Sequence, residues 1–538
     1  MRQLRAASRF IRSITTSLSF ISLNSKRHSR FPGKLNHREN FRHSDRSRAT
    51  INWNSHIWGI IAAQTAITFG IDDKIALADS SESKDEGIDE GGGFRMVEDG
   101  SVVSNEHTVK WRIFTDSARE RFMQGKLEDA EKLFVAAVKE AKEGFGENDA
   151  HVASACNNLA EFHRINKDYD KAEPLYIKAI NILEEAYGAE DIRVGAALHN
   201  LGIFYLLRKM MEEARCSLER ALKIKGRVLG YNHLDYGETM YRLGMVLDFE
   251  GKIKEAEALI QSSIDILEGA GEGESIICMR RLRYLAQIYS RAHKVQEAEV
   301  VQRKILHTME LSKGWDAMAT VIAAEGLSVT LQSCGKLKEA REILERCLEA
   351  RKSLLPAGHF QIGTNMLYLA KIIITTCISS NEISTIEANA DLALAKDYLD
   401  ESIRIAGQAM IKYQKNKGKL QKNNESEKTN QEGRAALSVL LQALATNSQL
   451  EITKQQLIDF KFSQENSVFP KEAERQLLRC VSAFKEFEKD ISVSNTEQVK
   501  RNYLSCLKHL SLFTHLTNPL PIDLKRTIHE LEAQLDSA

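Results

Sequence analysis

Asn157-Asn158-Leu159-Ala160-Glu161-Phe162, followed by Asp170-Lys171-Ala172-Glu173-Pro174-Leu175-Tyr176, is the stretch whose reading decides the fold. Leu159 recurs as Leu201, Leu243, Leu285, Leu327 and Leu369, each 42 residues after the last. Ala172 belongs to a second ladder of the same step, with Ala130 before it and Ala214, Ala256, Ala298 and Ala340 after it. Ala172, Tyr176 and Ala179 form one stripe at helical spacing. The residue after each ladder Leu is small: Ala160, Gly202, Gly244, Ala286, Ser328 and Ala370. Small residues at a contact let two helix axes come close, so each unit reads as a tightly packed antiparallel helix pair. Polar turns divide the pairs, as in Gln124-Gly125-Lys126, Asn166-Lys167-Asp168, Glu250-Gly251-Lys252 and Cys334-Gly335-Lys336. Glycine at three of these supplies the left-handed residue that ends a helix. The units close at Gly146, Gly188, Gly230 and Gly314, with Pro356 in the sixth.

The pattern resembles the tetratricopeptide repeat: Leu-small in a first helix, Ala 13 residues later in a second, an aromatic or aliphatic residue four beyond, then Ala again. The 42-residue period and connectors such as Gly146-Glu147-Asn148-Asp149 and Gly230-Tyr231-Asn232-His233 resemble the kinesin-light-chain type. The resemblance implies an all-α, TPR-like superhelical solenoid of antiparallel helix pairs with a C-terminal helical extension. Departures are local. Ser117 stands where Leu belongs in the first unit, as in a capping repeat, and Gln302 replaces the apolar residue of the fifth. In the seventh, the second helix comes 13 residues late, at Ala395, Leu399 and Ser402, after an insertion around Cys377–Ala390.

The chain divides into a leader with a short apolar segment (1–78), an acidic Gly/Ser linker (79–108), an array of about seven repeats (109–412), a polar linker (413–433) and a helical C-terminal region (434–538). Formal charge is zero, but the leader holds 13 of the 74 Lys/Arg and 4 of the 74 Asp/Glu, leaving a body of 61 basic and 70 acidic residues. A basic, Ser-rich, acid-poor start has the composition of a transit peptide. Arg2, Arg5, Arg9 and Arg12 share one side of a helix, with Leu4, Ile11, Ile14 and Leu18 on the other. Mitochondrion is the first expectation and chloroplast the alternative. Ile57–Ile71 is apolar but shorter than the roughly 20 residues a spanning helix needs, and reads as a membrane anchor, a second cleaved signal or linker.

Eight cysteines show no Cys-x-x-Cys pair and no zinc spacing with histidine, so they read as structural, with no metal and no cofactor. Nucleotide-binding and hydrolase motifs are missing from the sequence, which points away from an enzyme. In the family resembled, the residue before the ladder Leu faces the concave groove, where Asn bonds the backbone of a bound peptide. The matching positions are Asn158 and Asn200, followed by Arg242, Tyr284, Gly326 and Tyr368. Arg242, Arg280, Arg283 and Tyr284 are therefore expected on the groove face, suited to an acidic segment with an aromatic or apolar anchor. The expected function is a protein-interaction scaffold or assembly factor inside an organelle. An organellar RNA-binding repeat protein is the alternative, weakened by the net charge of the body. A fluorescent fusion of residues 1–100 is expected to reach mitochondria, and deleting Ile57–Ile71 from it separates anchoring from import; a diffuse cytosolic signal would remove the leader reading.

Overall fold

The computed structural model describes residues 106–379, 385–417, 425–462, 470–517 and 522–536, and all secondary structure among them is helical. The leader, the apolar run Ile57–Ile71 and the linker up to residue 105 lie outside the described residues. Seven consecutive pairs follow. They are α1 (Glu106–Met123) with α2 (Leu127–Phe145), α3 (Ala150–Ile165) with α4 (Tyr169–Tyr187), and α5 (Ile192–Leu207) with α6 (Met211–Leu229). Next come α7 (Leu234–Phe249) with α8 (Ile253–Gly269), α9 (Ile276–Arg291) with α10 (Val295–Lys313), and α11 (Met318–Ser333) with α12 (Leu337–Leu354). The seventh pair is α13 (Phe360–Ser379) with α14 (Thr385–Lys417). Each helix packs on its sequence neighbours, so the first helix of a pair is held between two second helices.

The two ladders form the contact inside each pair. All six ladder alanines from Ala130 to Ala340 are fully buried, and every ladder Leu from Leu159 to Leu369 is buried as well. At Gly202 an added Cβ would lie 2.6 Å from Leu218 Cγ, and at Gly244 2.7 Å from Ile260 Cγ1. Those positions are small because no space exists for anything else.

The turn inside each of the first six pairs is the same object. Gly125, Gly251 and Gly335 have φ of +73°, +78° and +76°, and between them Lys167, Lys209 and His293 have φ of 65°, 60° and 57°. These six positions also repeat every 42 residues. The left-handed conformation is imposed by the pairing even where a side chain makes it cost about 1–2 kcal/mol. Between pairs the next helix is capped by side chains. Asp149 accepts from His151 N–H, Asp191 from Arg193 N–H, His233 from Asp235 N–H and Ser275 from Cys278 N–H.

The departures have structural reasons. Gln302 lies against Gly326, where an added Cβ would meet its Oε1 at 3.2 Å, so the two substitutions share one space. In the seventh pair Ala395, Leu399 and Ser402 do take the buried ladder positions. The additional residues lengthen both helices, since α13 runs to Ser379 and α14 starts ten residues before Ala395. α13 is long and apolar enough to cross a membrane, but its apolar residues pack against the helices around it.

The segment 413–433, expected as a polar linker, is helical on both sides of residues 418–424. α14 continues to Lys417, and α15 (Glu425–Phe462) begins at Glu425. Lys, Gln and Glu are good helix formers, so a polar composition does not by itself break a helix. Tyr413 is the anchor that composition hides. It is buried, its hydroxyl donates to Asp490 Oδ2 at 2.9 Å, and its ring leaves no room for a Cβ at Gly433. α15 packs on α13 and α14, burying Ala436, Leu437, Leu440, Leu441 and Leu444 in one core with Leu367, Ala370 and Ile374 of the seventh pair. α16 (Lys471–Phe487), the short α17 (Ile491–Ser494), α18 (Glu497–Thr517) and α19 (Ile522–Asp536) complete this cap. A disulfide joins Cys480 of α16 to Cys506 of α18.

Gly202→Val is expected to lower unfolding stability by about 1–3 kcal/mol through overpacking against Leu218. Lys209→Gly is expected to raise it by about 0.5–1 kcal/mol by removing left-handed strain. Denaturant titration of the two variants checks both signs.

Candidate functional site

The first helices of the pairs present three kinds of position. Ladder residues face the second helix, capping residues open the helix, and residues around position 158 of some repeats meet the first helix of the preceding pair, as Asn200 meets Asn157 and Tyr284 meets Asp248. This last set holds the candidate groove residues. On α3, Asn158 is 1% exposed, and neither its amide oxygen nor its amide nitrogen has a hydrogen-bond partner. On α5, Asn200 donates from Nδ2 to Asn157 Oδ1 at 3.2 Å. The two asparagines thus play different parts: one ties adjacent repeats together, and the other is left with full donor and acceptor capacity.

On α7 and α9 the expected basic face is an ion-pair network. Arg242 donates from Nε to Glu238 Oε1 at 2.9 Å, one turn back on its own helix. Glu238 Oε2 accepts from Arg281 Nη2 at 2.6 Å, and Arg281 Nη1 also donates to the Ser263 carbonyl at 2.8 Å. Both guanidinium groups lie near the Tyr241 ring, at 5.6 and 5.3 Å from its centroid. Tyr284 is held edge-on to Tyr241, and its hydroxyl donates to Asp248 Oδ2 at 2.8 Å. Arg291 reaches the same carboxylate oxygen. Burial, then the neighbouring Asp248 carboxylate, pushes the Tyr284 hydroxyl well above its ordinary pKa, so it stays protonated as a donor. Burial depresses Arg281 despite the Glu238 carboxylate beside it. Arg280 and Arg283, on the same helix, are half-buried.

Arg242 is therefore not a cation held open for a ligand; the fold itself answers its charge. Even so, α7 and α9 together carry five arginines (242, 280, 281, 283, 291) against three acids (Asp235, Glu238, Asp248), so this half of the face keeps a positive excess.

The sequence reading missed Glu238, Arg281 and Asp248, and with them a rule of spacing. Asn157 to Asn200, Glu238 to Arg281 and Asp248 to Arg291 are all separations of 43, one period plus one residue. A position on one first helix meets the next position on the following first helix. Opposite charges or amides at 43-residue spacing were the signal available. Related buried clusters lie on either side. Glu161 takes Arg164 Nη2 at 3.0 Å and the Tyr176 hydroxyl, while Glu325 takes Arg351 Nη2 at 2.7 Å and Asn365 Nδ2 at 3.1 Å. At the seam with the cap, Lys371 donates to Gln442 at 2.7 Å, and burial brings its ammonium down to about 7. No group of three metal-ligating side chains occurs among the described residues.

Family models described as the tetratricopeptide repeat match residues 151–226, 204–269 and 320–361. No curated protein sequence matches the chain. Among solved structures, the nearly identical TPR-like repeats of a kinesin-light-chain-type protein from Podosopora anserina are 20% identical. They cover 38% of this chain and 96% of that one, with a TM-score of 0.35. BtubC (BKLC) from P. vanneervenii is 16% identical over 47% of this chain and 93% of its own, with a TM-score of 0.35. The apo form of RapI is 12% identical over 81% and 99%, with a TM-score of 0.48.

Removing the shared acid leaves Arg281, 2% exposed, as an unpaired buried charge. Glu238→Ala is expected to lower stability by about 3–5 kcal/mol, and Glu238→Leu with Arg281→Met to recover most of it. Denaturant titration of the single and double variants measures the difference.

Proposed function

We propose that this tetratricopeptide-repeat chain is a non-catalytic scaffold, and that it holds a peptide or protein partner on the face formed by α3, α5, α7 and α9. Asn158 is the observation that carries the reading. Burying an amide with no hydrogen bond costs on the order of 1–3 kcal/mol, and a partner's peptide group that reached it as the covering side chains moved aside would supply both missing bonds. Support for an acidic segment as the partner comes from the positive excess on α7 and α9, and the half-buried Arg280 and Arg283 are the side chains we assign to it. The composition of the leader supports work inside an organelle, a mitochondrion before a chloroplast. Membrane association through Ile57–Ile71 belongs to the same proposal. RNA is the rival ligand; the net negative body opposes it, since RNA affinity rests largely on phosphate neutralisation.

Partner capture by the purified chain, followed by titration with the recovered segment, tests the reading. Arg280→Glu with Arg283→Glu, a half-exposed pair, is expected to weaken an acidic segment at least tenfold and to flatten the salt dependence. Asn158→Ala is expected to weaken binding a few-fold whatever the charge of the segment, while leaving the melting temperature unchanged or higher. An unchanged partner set in both variants would place the site elsewhere, and steep salt-dependent RNA binding would favour the rival.

A further inference from the structure

The C-terminal cap brings together two cysteines that neither the repeat pattern nor the groove uses. Cys480 and Cys506 stand 26 residues apart on α16 and α18, with their Cα atoms 6.5 Å apart and their sulfurs bonded. Both are fully buried, and both sulfurs lie by the same backbone carbonyl of α15, that of Leu441, at 3.6 and 3.8 Å. One turn away on each helix, Phe484 stacks on Tyr503 with ring centroids 3.8 Å apart and planes 8° from parallel. Two adjacent rungs, one covalent and one aromatic, thus fix the register of α16 against α18 where both meet α15. The other six cysteines are thiols. Four of these, Cys156, Cys278, Cys347 and Cys377, are buried, and burial raises the pKa of each thiol.

We propose that the Cys480–Cys506 disulfide is a redox lock on the cap, closed as the chain folds in a compartment that supplies a disulfide oxidant. The exchange is balanced. The two thiols give up two protons and two electrons, a disulfide of the oxidant takes them up as two thiols, and one sulfur–sulfur bond replaces another. Location decides how the lock behaves. A reductant thiolate must approach a sulfur, and in the closed cap α15, α16 and α18 cover both. The bond therefore persists in the native state and is reduced only when α16 and α18 part. Such bonds are at home in oxidising spaces and are rare where glutathione keeps thiols reduced. Of the destinations the leader suggests, the lock selects an oxidising intermembrane or luminal space over a matrix or stroma. This inference is independent of the groove, whose residues lie on other helices.

The test uses the full chain. Acid-quenched, alkylated protein from its native cells is digested without reductant and mapped. A linked Cys480–Cys506 peptide, with the other six cysteines alkylated after denaturation, is the expected result; eight alkylated cysteines would overturn the proposal. On purified protein, TCEP is expected to reduce the bond at least tenfold faster in partly denaturing urea than in buffer. Reduction should then lower the melting temperature of the cap by roughly 5–10 °C. Cys480→Ala with Cys506→Ala should give the same loss with no additional effect of TCEP, while Cys216→Ser, at an exposed thiol, should change nothing. Equal melting curves with and without TCEP would also refute the lock, and partner binding measured alongside shows whether the groove stands regardless.

Discussion

Where α5 passes α6 there is no room for one added carbon at Gly202, the same closeness recurs at Gly244, and the other small residues that follow a ladder Leu are buried. The rest of the array depends on that approach. It sets the distance between the helices of a pair, and so how the short turn must close. It explains why Lys167, Lys209 and His293 accept the left-handed conformation that glycine adopts at the neighbouring turns. Interior packing is dense enough that this contact has one arrangement, and the arrangement repeats because the sequence repeats.

A second, weaker constraint acts between pairs. Stacking places a residue of one first helix beside the residue 43 further on, and the chain has put hydrogen-bonding and charged partners there. These buried pairs are poor sources of net stability, because desolvation offsets much of the attraction. They are strongly selective about register, since a slip would strand Arg281 without its Glu238 partner. The exposed pair Lys171–Glu131 also crosses between repeats, but in solvent it contributes about 0–1 kcal/mol. The array is thus held by apolar contact within pairs and kept in register by polar contact between them. Asn158 stands outside that economy as a buried amide with nothing to bond.

Much of this was legible in the residues. The period, the two ladders, the late second helix of the seventh pair and the helical cap follow from apolar spacing, which reports which face of a helix is buried. The two ends of the expected linker, 413–417 and 425–433, are helical instead, because low complexity reports how little apolar surface is present and not whether one tyrosine finds a pocket. Arg242 was also read too simply. A guanidinium looks the same in a sequence whether it faces a ligand or a carboxylate of its own chain.

The sequence by itself determined the unit, its length, its repetition and the positions left free to vary, because helical burial is local and recurs with the period. Only the tertiary structure decided what the varying positions do. Glu238 to Arg281, Cys480 to Cys506 and Tyr413 to Asp490 are contacts across 26 to 77 residues. No local pattern encodes such a distance; it is set by how one helix pair rotates and slides onto the next.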